Sequence, residues 1–426
     1  MGILVFAFII SFITKLFLAL AFIATAAVLV TVALDIFILY QGNKITGNRI
    51  TGPRMSNGDD NLIGVWLKST YPFKVGIDFI DELPAQFQIR DFKHQINLSP
   101  NHKHDFTYQL RPVKRGIYQF GDLQVLVTSF LKLVERRYTI EAQKDVAVYP
   151  SYLQMRQFEI MAISNKLTDI GIKKIRKIGH SSEFDQIKNY VPGDDYRHIN
   201  WKATARRGDL MINNYIDEKS QHLYCIIDKS RVMKSPFDGL SLLDYAINAT
   251  LALSNIALLK EDKAGLITMS DTEGTFVQSD RKPVHLNKIL EVLYQEKTRY
   301  LELNSEQLYL SIRKKVKQRS LLVFFTNFES LSAMHRQLPY FKKINKFHLL
   351  LVVFFENTEV SSVLNMQTKN TEDIYFKTIA EQFVSEKKQI VKELNQHGIT
   401  SLLTEPKNLT VNTINAYLRI KTSQRV

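Results

Sequence analysis

A chain of 426 residues, 45% hydrophobic and 23% charged, is too long for one ordinary domain and too apolar for a disordered tail, so two or three folded domains are expected. Its single cysteine, Cys225, excludes a disulfide framework and any cysteine-built zinc site, and suits a reducing compartment, of which the cytoplasm is the simplest. The net charge of +14 is compatible with nucleic acid, an anionic membrane surface or an acidic partner, and charge alone does not choose.

From Leu16 to Leu34 no charged residue interrupts the apolar run, which at ~1.5 Å per residue is long enough for a helix to cross a ~30 Å hydrocarbon core. A shorter apolar run, Ile3 to Thr14, precedes it across Lys15, so residues 1–40 form either one long helix or a tight hairpin with a shortened first arm. A cleaved signal peptide fits less well, because no basic residue precedes the apolar stretch. Lys44, Arg49 and Arg54 follow it, and the positive-inside rule then places the remaining chain on the cytoplasmic side of the cell's inner membrane.

Residues 41–150 change to a period of two. Phe106, Tyr108 and Leu110 alternate with Asp105, Thr107 and Gln109, and Leu123, Val125 and Val127 repeat the device. Turn-formers at Ser56-Asn57-Gly58-Asp59, Ser99-Pro100-Asn101 and Arg115-Gly116 break the runs, which predicts an antiparallel β-sandwich without a catalytic cluster. Residues 151–220 are polar, basic and of no clean period.

In residues 221–426 apolar strand-like runs at 222–227, 264–269, 320–325 and 347–355, with a weaker one at 399–403, alternate with helical stretches at 240–259, 283–296, 305–317, 331–343 and 371–396. Continuous apolar strands separated by helices predict a parallel sheet covered on both faces, a doubly wound α/β domain. Such sheets bind ligands at the carboxyl ends of their strands, so the loop Asp228-Lys229-Ser230 after the first strand is the first candidate site.

No phosphate-binding GxxxxGK loop, no GxGxxG and no HExxH or paired-cysteine metal spacing occurs, which argues against nucleotide hydrolysis. GHSSE at Gly179 to Glu183 lacks the second glycine of a nucleophile elbow. Asp228-Lys229-Ser230-Arg231-Val232 resembles the DxSxS signature of von Willebrand factor A domains, in which a carboxylate and two hydroxyls help to hold a divalent cation. Val232 stands at the third position, and Thr326-Asn327 stands where a later strand of that fold commonly carries an acidic residue. A hard cation needs charged oxygens, so a degenerate, metal-free site at Asp228, Ser230, Val232 and Asn327 is expected, with Asp228 as a simple turn cap the competing reading.

The most specific stretch lies between Glu183 and Leu210. Tyr190, Pro192, Gly193, Asp194, Asp195, Arg197, Ile199, Trp201, Lys202, Ala205, Arg206 and Gly208 resemble the signature of the bacterial domain of unknown function 58 family. That resemblance implies N-terminal membrane segments, usually two, then a β-rich domain, the signature and a von Willebrand factor A-like domain. It carries no enzymatic activity and no cofactor. It implies instead a membrane-anchored protein-interaction module working with a MoxR-type AAA+ ATPase and other von Willebrand factor A proteins in protein assembly or maturation. From the residues alone, Pro192-Gly193-Asp194 predicts a tight turn. In one reading Asp194 or Asp195 pairs with Arg197 or Arg206 in a clasp while Trp201 packs on the α/β domain; in the other, the basic groups around Trp201 form an exposed partner site.

Lys173-Lys174-Ile175-Arg176-Lys177 and Lys314-Lys315-Val316-Lys317-Gln318-Arg319 keep binding of nucleic acid or an anionic surface as the alternative function. A solvated helix face near an anionic bilayer accounts for the same residues, and no nucleic-acid partner is expected.

Overall fold

A computed structural model of the chain describes residues 15–42, 44–90, 92–163, 183–216, 220–357, 360, 364 and 370–422. The expected first membrane arm, Ile3 to Thr14, and the basic run at 173–177 lie outside them. The chain divides into two compact units, Met1–Val148 and Tyr149–Val426.

The first unit opens with helix α1 (Lys15–Tyr40), whose segment Ala21–Tyr40 has a mean hydropathy of 2.5 and is long and apolar enough to cross a membrane. The foot of α1 is docked on protein. Asp35 is fully buried and accepts hydrogen bonds from Ser129 and from the Leu133 and Val134 N–H groups at 3.1 and 3.0 Å, and the Leu39 carbonyl accepts from Tyr71 Oη at 2.8 Å.

Strands β1 (Ile45–Ile50), β3 (Asn61–Ser69) and β6 (Lys103–Leu110) form one antiparallel sheet. A second contains β2 (Arg54–Ser56), β10 (Lys144–Tyr149) and β7 (Gly116–Phe120), and a third runs β5 (Lys93–Leu98), β4 (Val75–Asp81), β8 (Leu123–Thr128), β9 (Glu135–Ile140). The period of two is realised in burial: Leu123, Val125 and Val127 are fully buried beside Val65, Leu67, Ile77 and Phe79. Arg49, read from sequence as a charge flanking the membrane, instead lies inside the unit. It pairs with Asp81 and donates to the Ala142 and Gly121 carbonyls at 3.0 and 3.1 Å, so its charge is neutralised by a buried carboxylate.

In the second unit, α2 (Tyr152–Ile163) precedes a hairpin of β11 (Glu183–Asn189) and β12 (Met211–Ile216), and α3 (Trp201–Arg207) lies within the hairpin's connection. A six-stranded sheet then runs in the order β17 (Glu273–Asp280), β16 (Lys263–Met269), β13 (His222–Asp228), β18 (Leu321–Phe325), β19 (Leu349–Phe355), β20 (Thr400–Thr404). Its neighbours pair in parallel except β17, which runs antiparallel to β16. A two-residue hairpin, β14 (Pro236–Phe237) with β15 (Leu240–Ser241), leads from β13 into α4 (Leu242–Leu259).

Alternate residues of β13 explain why both faces are covered. Leu223, Cys225 and Ile227 pack on α4, α5 (His285–Gln295) and α9 (Leu409–Thr422). Tyr224 and Ile226 pack on α6 (Ser305–Lys315), α7 (Leu331–Asn345) and α8 (Thr371–Gln396). Helix α4 is also apolar enough to cross a membrane, but 83% of it is buried, as expected of a core helix. The antiparallel strand β17 and helix α9 were not foreseen: β17 carries only the adjacent pair Phe276 and Val277 in an otherwise polar stretch and reads as a loop, and α9 has only a weak apolar stripe.

Candidate functional site

The sheet order reverses at β13, with β16 on one side and β18 on the other, so the carboxyl ends of β13 and β18 frame the crevice where open α/β sheets take ligands. Asp228 closes β13 and is fully buried. Its Oδ1 accepts the Ser230 N–H at 2.8 Å and its Oδ2 accepts the Thr326 hydroxyl at 2.7 Å, so both oxygens serve the two loops. Burial pushes this carboxyl above the usual carboxylate range, against the pull of those hydrogen bonds. Ser230 is buried beside it, while Val232 packs against the apolar core beneath the loop.

Asn327, on the loop after β18, is held by a lysine. Lys387 of α8 donates from Nζ to Asn327 Oδ1 at 2.8 Å and to the Phe328 carbonyl at 2.6 Å, and lies 5.8 Å above the Phe354 ring. Burial pulls the Lys387 ammonium down to about 8, with Glu329 opposing. Among the described residues no group of three or more His, Cys, Asp or Glu side chains gathers as a metal site would require. A cavity of about 330 Å³ opens over the loops, and Ser230, Arg231, Glu302, Asn327, Glu329 and Arg336 are among its lining residues. Arg231 bridges Glu302 and Glu329 at 3.4 and 3.2 Å, and Arg336 reaches Glu302 at 3.8 Å. Sequence reasoning missed these groups, because they sit on separate loops brought together only by the sheet. Lys387 did carry a signal: it falls on the stripe Ala380, Val384, Lys387, Val391, Leu394, spaced for the inward face of a helix.

The signature residues lie together in the connection between β11 and β12. The Tyr190 N–H donates to the Leu210 carbonyl at 2.8 Å, and Asn200 N–H to Met211 at 2.8 Å, so the connection is zipped along its length. Pro192-Gly193 makes the expected turn, with Gly193 at a φ of +111°, a conformation that an L side chain strains to adopt. Asp194 accepts from Lys188 Nζ at 2.9 Å and from the Val191 N–H at 3.1 Å, which hold its carboxyl below the usual range. Asp195 accepts the Arg197 N–H at 3.0 Å, Asn200 caps α3 through the Ala203 N–H at 3.0 Å, and Thr204 Oγ1 accepts the Met211 N–H at 3.0 Å. Gly208 ends α3 at a φ of +83°.

The clasp is therefore different from the one the composition suggested. Among the described residues no ion pair joins Asp194 or Asp195 to Arg197 or Arg206, because the aspartates brace backbone and Lys188. Trp201 does not pack on the α/β sheet: it is 71% exposed, Tyr196 is 69% exposed, and Arg197, Lys202 and Arg206 point to solvent around them.

This braced insert opens the stretch that comparison with known proteins singles out. Residues 186–354 match the family described as protein of unknown function DUF58. The uncharacterized protein YeaD of Bacillus subtilis (strain 168) is 29% identical over 125 residues, a stretch that spans 29% of this chain and 30% of YeaD. Among solved structures, the conserved hypothetical protein BatB from Bacteroides thetaiotaomicron aligns over 48% of this chain and 100% of its own, with a TM-score of 0.31 and 14% identity. The CARDB domain of the PF1109 protein from Pyrococcus furiosus aligns over 25% of this chain and 93% of its own, with a TM-score of 0.19 and 14% identity.

Proposed function

We propose that the chain is a membrane-anchored, non-enzymatic protein-interaction module, held by α1 in the cytoplasmic membrane, whose second unit is an α/β domain of von Willebrand factor A type. Its partner is a MoxR-type AAA+ ATPase, which it serves in protein assembly or maturation. The observation that carries the reading is the signature insert. A Trp, a Tyr and three basic side chains stand exposed on a backbone whose own polar groups are already hydrogen-bonded, and Trp, Tyr and Arg are the side chains that dominate binding energy at protein interfaces. A rigid scaffold also loses little entropy on binding. The crevice supports a non-catalytic role, since Asp228 spends both oxygens internally and Lys387 is held by Asn327 and a carbonyl.

The test uses the full chain in detergent with the purified MoxR-type ATPase of the same organism. Trp201→Ala and Arg206→Glu should each weaken binding by about tenfold or more, the loss of a hot-spot side chain, while melting temperature stays unchanged because both side chains are exposed. Unchanged affinity with either variant overturns the assignment of the insert as the docking surface.

A further inference from the structure

A second surface, remote in sequence from the signature, gathers at the amino end of the sheet. The last turn of α6 and the lead into β18 read Arg313-Lys314-Lys315-Val316-Lys317-Gln318-Arg319, and the last turn of α7 and the lead into β19 read Lys342-Lys343-Ile344-Asn345-Lys346-Phe347-His348. Neither stretch contains an acidic residue. They are neighbours in space: β18 and β19 pair in parallel from Leu321 and Leu349, and the Leu349 N–H donates to the Ser320 carbonyl at 3.0 Å. The Arg313 guanidinium lies 3.9 Å over the Phe347 ring, and Lys343 Nζ lies 5.7 Å over Tyr309. Arg313, Lys314, Lys317, Arg319, Lys342, Lys343 and Lys346 are all exposed, whereas Lys315 is taken by Glu273 at 2.5 Å. Two exposed apolar side chains, Phe347 at 43% and Leu310 at 56%, stand among them. Burial lowers the affinity of His348 for a proton, and the charges of Arg313 and Arg319 lower it further.

From this geometry we infer that the amino-end surface of the α/β sheet, formed by Arg313, Lys317, Lys342, Lys346 and Phe347, seats on the anionic headgroups of the bilayer that holds the chain. Clustered basic residues bind anionic leaflets, and an aromatic ring among them enters the interfacial layer where its apolar body is favoured. The inference rests on the reading of α1 as a membrane anchor. A domain tethered to a bilayer meets that surface at a high effective concentration, whereas nucleic acid must be recruited from solution. Seating would fix how the second unit presents its other surfaces.

The experiment reconstitutes the full chain, carrying Cys225→Ser and a fluorescent dye attached through Gln318→Cys, into vesicles of phosphatidylcholine alone and of equimolar phosphatidylcholine and phosphatidylglycerol. Flotation with the neutral vesicles tests the anchor by itself, so failure of the anchor and failure of the patch are separate results. Quenching of the dye by nitroxide-labelled lipid is expected only in the anionic vesicles and should fade in high salt. The Lys317→Glu, Lys342→Glu, Lys346→Glu triple variant should weaken seating by about a hundredfold or more, given the contribution of each basic group near such a surface. The milder Lys→Gln set, with an unchanged circular dichroism spectrum, excludes misfolding as the cause. Equal quenching in both vesicle types overturns the inference, as does none in either. So does a dye response to duplex DNA in neutral vesicles that matches the response to anionic lipid.

Discussion

At the scale of single residues, the crevice turns on Lys387. An ammonium this buried, with an amide oxygen and a carbonyl for partners, is costly to keep charged, and burial depresses it to about 8 from an ordinary 10.5. A depressed folded-state value means that stability from this group is present above the ordinary lysine value and is lost as pH falls through about 8. Thermal melts between about pH 7 and about pH 10 should therefore show wild type gaining on Lys387→Met as pH rises, and parallel curves would disprove the depressed value. On the proposed von Willebrand factor A reading, the same ammonium alters what building a metal site would require. Val232→Ser, at a side chain that now packs on the apolar core, with Asn327→Asp would offer two further oxygens, but the new carboxylate would pair with the lysine already in contact with position 327. Calorimetry of the full chain should find Mg²⁺ binding only when Lys387→Met is added to the pair of substitutions. Binding by the double variant with Lys387 intact would show that the lysine does not guard the site.

At the scale of elements, the sequence is most legible where one physical rule acts alone. The strands of the sheet are apolar because both faces are covered, so β13, β16, β18 and β19 stand out as continuous runs. The alternation in β6 is equally plain, because its Lys103, Asp105, Thr107 and Gln109 are exposed while the side chains between them turn inward. Legibility fails where the rule is tertiary. Strand β17 exists because β16 offers it an open edge, and its Thr275, with Thr268 of β16, donates to Glu296, which also takes Lys229 at 2.6 Å. Nothing within residues 273–280 announces those partners. The signature insert shows the same limit. Its turn at Gly193 and its caps at Asp195 and Asn200 follow from residue type, but the exposure of Trp201 and the partners of the aspartates do not. Composition favoured Arg197 and Arg206; geometry gave Asp194 to Lys188.

At the scale of the whole molecule, the orientation of the chain in the membrane decides whether either proposed surface meets its partner. The foot of α1 bears on this. Buried Asp35 and Leu39 belong to the β-rich unit, so under the proposed anchoring the lipid-facing part of the helix would end before them, close to Leu34. Of the three basic residues from which the orientation is expected, Arg49 is spent on Asp81, and the exposed charges just past the helix are Lys44 and Arg54. On the proposed membrane reading, these two charges keep the positive-inside expectation that residues 41–426 face the cytoplasm. Ser99 is exposed on a turn of the first unit, and Cys225 is buried. In a Cys225→Ser background, Ser99→Cys should resist a membrane-impermeant thiol reagent in intact cells and react fully once the membrane is opened. Labelling in intact cells would put both units outside. It would remove a cytoplasmic ATPase as partner, and it would leave the amino-end surface facing the opposite leaflet, where the vesicle experiment could still succeed.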